Sequence, residues 1–106
     1  MDLYKKLEND LREAYEEAKK ARTGEDGGTA NLDATFLRLK NWREAKVLCA
    51  IEKAGLYCRG RTQWLGSGYM ISTGGGQGND NTRVRDKFKE ILEDKGYDVI
   101  GFDMID

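Results

Sequence analysis

Histidine and proline are both absent from this chain of 106 residues. Without histidine, the chain has no Ser-His-Asp or Cys-His catalytic set and no histidine-ligated metal site. Acid–base chemistry would have to use carboxylate, Lys, Tyr or Cys side chains with perturbed pKa values. The absence of proline favours uninterrupted helices and strands. We therefore expect a protein that is not an enzyme, with no catalytic residues, no metal and no cofactor.

Cysteines and long apolar runs are scarce. Cys49 and Cys58 stand among apolar residues without C-x-x-C spacing, so we expect free, buried thiols, with a disulfide as the alternative. No stretch reaches the ~18 apolar residues that a membrane span requires. The first fifteen residues carry acidic side chains where a signal peptide is apolar. These features predict a cytoplasmic protein that does not associate with membranes.

Residues 2–22 are predicted to form one amphipathic helix. Its apolar residues recur at spacings of four and three, at Leu7, Leu11, Ala14, Ala18 and Ala21. This stripe requires a cover, which is either the rest of the chain or a second copy in a homodimer. In the next predicted helix, Trp42 and Cys49 lie opposite the main apolar set, and we expect the N-terminal helix, or else a partner, to cover them.

Residues 34–105 are predicted to form a βαββαβ unit. Alternating apolar residues indicate strands at 34–39, 56–61, 68–73 and 98–105, and helical spacing indicates helices at 41–54 and from 84 to 95. Asn41 is the expected N-cap of the first of these helices, and Gly55 and Gly96 are expected to end them. This order is the ferredoxin-like pattern, with a four-stranded antiparallel sheet of order 4-1-3-2 and both helices on one face. The whole chain, 1–106, is then a single α+β domain.

Charge is unevenly distributed along the chain, although its net value is −1. Residues 1–33 hold six basic and nine acidic side chains, residues 34–89 hold eleven and four, and residues 90–106 hold one and six. One interpretation is that these segments neutralise one another across an ordinary solvated surface. The other is that the basic middle and the acidic ends form separate binding surfaces.

Eight side chains are candidates for binding a partner: Phe36, Arg38, Tyr57, Arg59, Arg61, Trp64, Arg83 and Arg85. Alternation places the first five on the sheet face opposite the helices, where aromatic rings and arginines together can stack bases and hold phosphates. This arrangement resembles RNA-recognition-motif domains in architecture only, because their strand motif is missing from residues 68–73. Trp64 falls in the expected hairpin turn, residues 62–66, and would anchor a protein interface or fold back over the core.

Arg83 and Arg85 follow the glycine-rich stretch 74–81, at the expected start of a helix. Backbone N–H groups at such a position can hold an anion, and two cations there favour a phosphate or an acidic partner. The glycine spacing matches neither a Walker A loop nor a dinucleotide-binding fingerprint. A plain connecting loop is the alternative.

Three segments resemble small proteins encoded by phages and mobile elements of Firmicutes: the turn at 27–33, the helix start at 41–47 and the loop at 75–79. Proteins of that kind are often compact, non-enzymatic inhibitors of host defence, and they include anti-CRISPR proteins. The resemblance implies an inhibitor that acts in the host cytoplasm by binding a protein effector such as a CRISPR nuclease. Acidic segments of the chain could then occupy the cationic nucleic-acid channel of that nuclease. A small RNA- or DNA-binding module is the alternative.

Overall fold

A computed structural model describes residues 2–21, 34–72 and 79–102 of the chain. The described elements are, in chain order, α1 (Leu3–Lys19), β1 (Ala34–Arg38), α2 (Glu44–Lys53), β2 (Arg61–Trp64), β3 (Gly66–Ser72), α3 (Asn79–Asp94) and β4 (Asp98–Phe102). The predicted α+β class is therefore confirmed. Residues 103–105 of the predicted last strand and most of the glycine-rich stretch lie outside the described residues.

The four strands form one sheet in the order β2-β3-β1-β4, and each neighbouring pair is antiparallel. On β1, Phe36 lies opposite Met70 and Ile100, and Leu37 lies opposite Tyr69 and Val99. Successive side chains of a strand point to opposite faces of the sheet. Leu37 and its partners therefore pack against the helices, and Phe36 and its partners lie on the other face. We call this second side the outer face. The predicted four-stranded antiparallel sheet is confirmed.

Helix α1 is an integral part of the core. Four residues of its apolar stripe are fully buried and belong to one cluster with α2, α3 and the sheet: Leu7, Leu11, Ala14 and Ala18. Helix α1 contacts both α2 and α3, and Arg12 donates a 2.9 Å hydrogen bond to the carbonyl of Lys53 at the end of α2. The stripe considered as a dimer seam is therefore buried within the chain itself.

The ends of α2 and α3 follow the prediction closely. Gly55 and Gly96 adopt φ values of 85° and 94°, a left-handed conformation that glycine adopts without steric cost. The next residue in each case donates back to the preceding turn, from Leu56 N to Ile51 O at 3.1 Å and from Tyr97 N to Leu92 O at 3.0 Å. These bonds satisfy carbonyls that a helix end otherwise leaves unpaired.

The start of α2 differs from the prediction. Asn41 is not its N-cap, because the residue lies in a turn at φ 69° and the helix begins at Glu44, after Arg43. Trp42 therefore precedes the helix, and its ring packs edge-on against Tyr4 of α1 with 5.6 Å between the ring centroids. The expected cover of Trp42 by the N-terminal helix is confirmed, whereas the expected cover of Cys49 is wrong. Cys49 is exposed, so the expectation of a buried thiol is wrong at that position, although both cysteines are free.

The strand predicted at 56–61 is displaced in the structure. Tyr57 pairs with Ser72 in a single bridge, and the regular strand β2 begins only at Arg61, which pairs with Tyr69. Tyr57 and Arg61 are four residues apart, whereas their partners on β3, Ser72 and Tyr69, are three residues apart. The segment 57–61 therefore contains one extra residue, as in a β-bulge. The extra residue lies next to Gly60, at φ 150°. Because of this extra residue, the side chains of Tyr57 and Arg61 lie on opposite faces of the sheet.

Candidate binding surface

An aromatic cluster occupies the outer face of the sheet. The ring of Trp64 packs edge-on against both Phe36 and Phe102, with centroid distances of 5.3 and 5.2 Å. Phe36 is fully buried although it lies on the face without helices, whereas 41% of Trp64 remains exposed. Trp64 therefore folds back over the sheet from the end of β2. Edge-to-face pairs of this kind add to the stabilisation that burial alone provides.

Exposed apolar side chains extend this cluster. Tyr57 is 64% exposed and Leu65, in the turn between β2 and β3, is 49% exposed. Beside Tyr57, a groove of about 460 Å³ is lined by residues that include Arg59, Met70 and Phe102. Among the described residues, no helix or strand covers this face, which combines a rigid aromatic centre with an exposed apolar rim.

Arg38 lies on the outer face, as predicted, but its guanidinium group is already engaged. It forms two hydrogen bonds with the carboxylate of Asp98, at 2.9 and 3.0 Å, and donates a third to the carbonyl of Leu65 at 3.0 Å. This planar, two-pronged contact joins β1 to β4 and to the β2–β3 turn. The charge of Arg38 is therefore balanced within the molecule.

Arg61 lies on the helix side of the sheet, so its predicted place on the outer face is wrong. The extra residue before β2 reverses the alternation, and the guanidinium donates to the hydroxyl of Tyr69 and, at 2.7 Å, to the carbonyl of Trp42. Arg59, by contrast, is exposed beside the outer groove. The outer face thus keeps Phe36, Arg38, Tyr57, Arg59 and Trp64 of the predicted set.

Arg85 is only 5% exposed and does not mark the start of a helix, because α3 begins at Asn79. Its guanidinium donates to the carbonyl of Phe102 at 2.9 Å, to that of Ala34 at 3.4 Å and to the carboxylate of Asp86 at 2.7 Å. A Cβ at Gly101 would lie 3.2 Å from this group. Arg85 therefore fastens α3 to the end of the sheet and does not face an external anion. Arg83 is half-buried.

Ion pairs within the molecule take up much of the acidic charge of both ends. Glu16, Glu17 and Glu93 each contact a lysine of their own helix, at 3.0, 3.0 and 2.7 Å. Lys95 bridges from the end of α3 to Glu13 of α1 at 3.0 Å. The ion pairs Lys89–Glu93 and Arg38–Asp98 join the basic middle of the chain to its acidic C-terminal segment.

The outer face also holds residues that the sequence analysis did not select. Asp98, Met70 and Phe102 belong to it through the register of β3 and β4 with β1. Alternation alone places Asp98 and Phe102 on one side of their strand, but only the pairing shows which residues they meet. Within residues 2–21, 34–72 and 79–102, no group of three or more Cys, Asp or Glu side chains has an arrangement that could hold a metal ion.

Comparison with protein-family models, with curated proteins and with solved structures finds no significant match. In the described part of the chain, no helix combines the length and the apolar character needed to cross a membrane.

Proposed function

We propose that this protein is a non-enzymatic inhibitor that binds a protein effector through the outer face of its sheet. The observation that carries this proposal is the aromatic cluster of Trp64, Phe36 and Phe102, with Tyr57 and Leu65 exposed beside it. Aromatic residues are enriched at the centres of protein interfaces, where charged residues are depleted. The internal pairing of Arg38 with Asp98 lowers the net charge of this face and supports a protein partner.

The proposed class of effector rests on the resemblance of three segments of the sequence to small phage and mobile-element proteins. This resemblance supports a host-defence target, such as a CRISPR nuclease, met in the host cytoplasm. We also propose that the fold is ferredoxin-like, because the strand order reads 4-1-3-2 when it is taken from the β4 edge. That fold serves many functions, so the choice of target does not depend on it.

The test is co-purification with candidate effector nucleases, together with a cleavage assay. We expect wild-type protein to bind one effector and to reduce its cleavage of nucleic acid. Tyr57→Ala and Leu65→Ser remove exposed apolar surface without opening the core, so both should weaken binding. Leu3→Ser is the matched control, because Leu3 is 50% exposed and belongs to α1, not to the aromatic cluster of the sheet. Binding that survives both outer-face substitutions, or no binding to any effector type, would refute the proposal.

A second candidate is a nucleic-acid-binding module. Tyr57 lies beside Arg59 at the outer groove, and together they offer a ring for base stacking and a cation for a phosphate. This function predicts binding to single-stranded RNA or DNA that weakens as salt rises. Arg59→Gln should weaken it more than Arg61→Gln, because Arg61 borders the groove but its guanidinium bonds to Tyr69 and Trp42 on the helix side of the sheet. If no binding is detected at low salt, this function is excluded.

A further inference from the structure

A second cavity opens at the end of the sheet where the chain leaves β1. It has a volume of about 640 Å³ and lies between the start of β3 and the turn that precedes α2. Its lining includes Arg38, Lys40, Arg61, Trp42 and Asp98. We call it the basic cleft. Its volume lies within the range of roughly 300–1,000 Å³ that is typical of small-molecule sites.

Two of the three cationic side chains in the basic cleft form no ion pair among the described residues, and the carboxylate of Glu44 bonds to the backbone N–H of Arg61 at 3.1 Å. Arg38 is balanced by Asp98, whereas Arg61 bonds only to neutral oxygen atoms through its side chain and Lys40 makes no ion pair. The contacts of Arg61 with Tyr69 and Trp42 also fix the direction of its guanidinium group. The cleft therefore presents two cationic side chains that form no ion pair, one of them held in a defined orientation.

We propose that the basic cleft binds a small phosphomonoester. A phosphate monoester carries a charge between about −1.5 and −2 near neutral pH and can contact both cationic side chains at once. Arg61 presents a planar fork suited to phosphate oxygens, and Lys40 adds a flexible point charge. A carboxylate carries only a single negative charge and suits this pair of cations less well.

The organic part of the ligand is placed by the apolar wall of the same cleft. Trp42 is partly exposed there, and Leu39 lies next to it in the lining. A flat ring attached to the phosphate could pack on Trp42 while the phosphate contacts Arg61 and Lys40. The ligand class is thus a phosphomonoester with an aromatic or similarly apolar group.

Calorimetric titration with phenyl phosphate, inorganic phosphate and benzoate tests the proposal on the full chain. We expect phenyl phosphate to bind most tightly, inorganic phosphate less tightly and benzoate least. Inorganic phosphate lacks the ring that packs on Trp42, and benzoate lacks the phosphate group. The sequence contains two tryptophans, Trp42 and Trp64, so the variant Trp64→Phe retains only Trp42. Binding of phenyl phosphate to this variant should change the fluorescence of Trp42.

Lys40→Gln is the decisive variant, because the side chain of Lys40 forms no hydrogen bond or ion pair in the described structure. It should weaken phenyl phosphate binding by about tenfold, the change expected for loss of one charged hydrogen bond. Lys53→Gln removes an exposed lysine of α2 outside the cleft and should leave the affinity unchanged. Equal affinity for phenyl phosphate and benzoate would overturn the proposal, as would equal weakening by Lys40→Gln and Lys53→Gln.

Discussion

The ring of Phe36 lies directly against the backbone of Gly68 on the neighbouring strand. A Cβ atom at Gly68 would stand 2.7 Å from Phe36 Cζ and 2.8 Å from the carbonyl oxygen of Leu37. Both distances are shorter than van der Waals contact, so no other residue fits without movement of the ring or the strand. A glycine inside a strand often marks such a close approach. Here it allows Phe36 to support Trp64 above it.

Gly68→Ala is therefore expected to lower the free energy of unfolding by about 1–3 kcal/mol, the usual cost of overpacking. Urea denaturation measures this change. Ser67→Ala, next to it on β3, is the control and should change stability by less than about 0.5 kcal/mol. If Phe36 is the obstacle, Phe36→Leu combined with Gly68→Ala should cost less than the sum of the two single changes. Additive costs would contradict the direct contact.

Leu11→Ala should reveal that α1 belongs to the core. Leu11 is fully buried between α1 and its neighbours, so we expect the substitution to cost about 2–5 kcal/mol of unfolding free energy. Leu3→Ala, at the exposed start of the same helix, should cost less than about 0.5 kcal/mol. Equal effects in chemical denaturation would mean that α1 is an appendage and not a part of the core.

Tyr97 and Asp10 link stability to pH at both extremes. The hydroxyl of Tyr97 donates to the carboxylate of Asp10 at 2.6 Å. Burial raises the pKa of Tyr97, and the neighbouring carboxylate raises it further. Burial also acts to raise the pKa of Asp10, but hydrogen bonds from Lys6 and Tyr97 outweigh it and the pKa is lowered. Each group therefore favours, near neutral pH, the protonation state that the native contact requires.

The contribution of Asp10 is present above its unfolded pKa of 3.8 and is lost as the pH falls through the lower folded value. That of Tyr97 is present below its unfolded pKa of 10.0 and is lost as the pH rises toward the higher folded value. Unfolding free energies measured across pH should show both declines. Tyr97→Phe should reduce the decline above pH 10 and lessen the one below pH 4. A profile identical to wild type would show that the hydrogen bond does not contribute.

The two thiols are expected to differ in reactivity. Cys49 is exposed on α2, whereas Cys58 is half-buried and its thiol donates to the carbonyl of Gly60 at 3.6 Å. Burial raises the pKa of the Cys58 thiol, which reduces the fraction present as reactive thiolate. Iodoacetamide should therefore label Cys49 several times faster than Cys58, as followed by mass spectrometry of peptides. Cys49→Ser is the control that isolates the slow site, and equal rates would contradict the described burial of Cys58.

The helices were predictable because their signals are local. The spacing of Leu7, Leu11 and Ala14 identifies α1 and its buried side, and glycines 55 and 96 mark helix ends that the structure retains. The outer position of Phe36 was also predictable, since a regular strand alternates its side chains. In each case the residues that form the pattern are neighbours along the chain.

The errors at Arg61 and Arg85 arose where partners are distant in sequence, whereas the starts of α2 and α3 were misjudged locally. The alternation of residues 56–61 cannot reveal that this segment contains one residue more than the facing part of β3. The prediction therefore assigned Arg61 to the wrong face of the sheet. Arg85 finds its acceptors in backbone carbonyls at residues 34 and 102, which leave no side-chain pattern to detect. The pairing of Arg38 with Asp98 likewise depends on the register of β1 with β4.

The extra residue before β2 also bears on how copies of this chain behave at high concentration. Strand β2 lies at one edge of the sheet and spans only four residues, Arg61–Trp64. The N–H group of Arg61 at its start is already taken by the carboxylate of Glu44, at 3.1 Å. A second chain that approached this edge would meet a short and interrupted row of hydrogen-bonding groups. Growth of fibres by strand addition is therefore hindered on this side of the molecule.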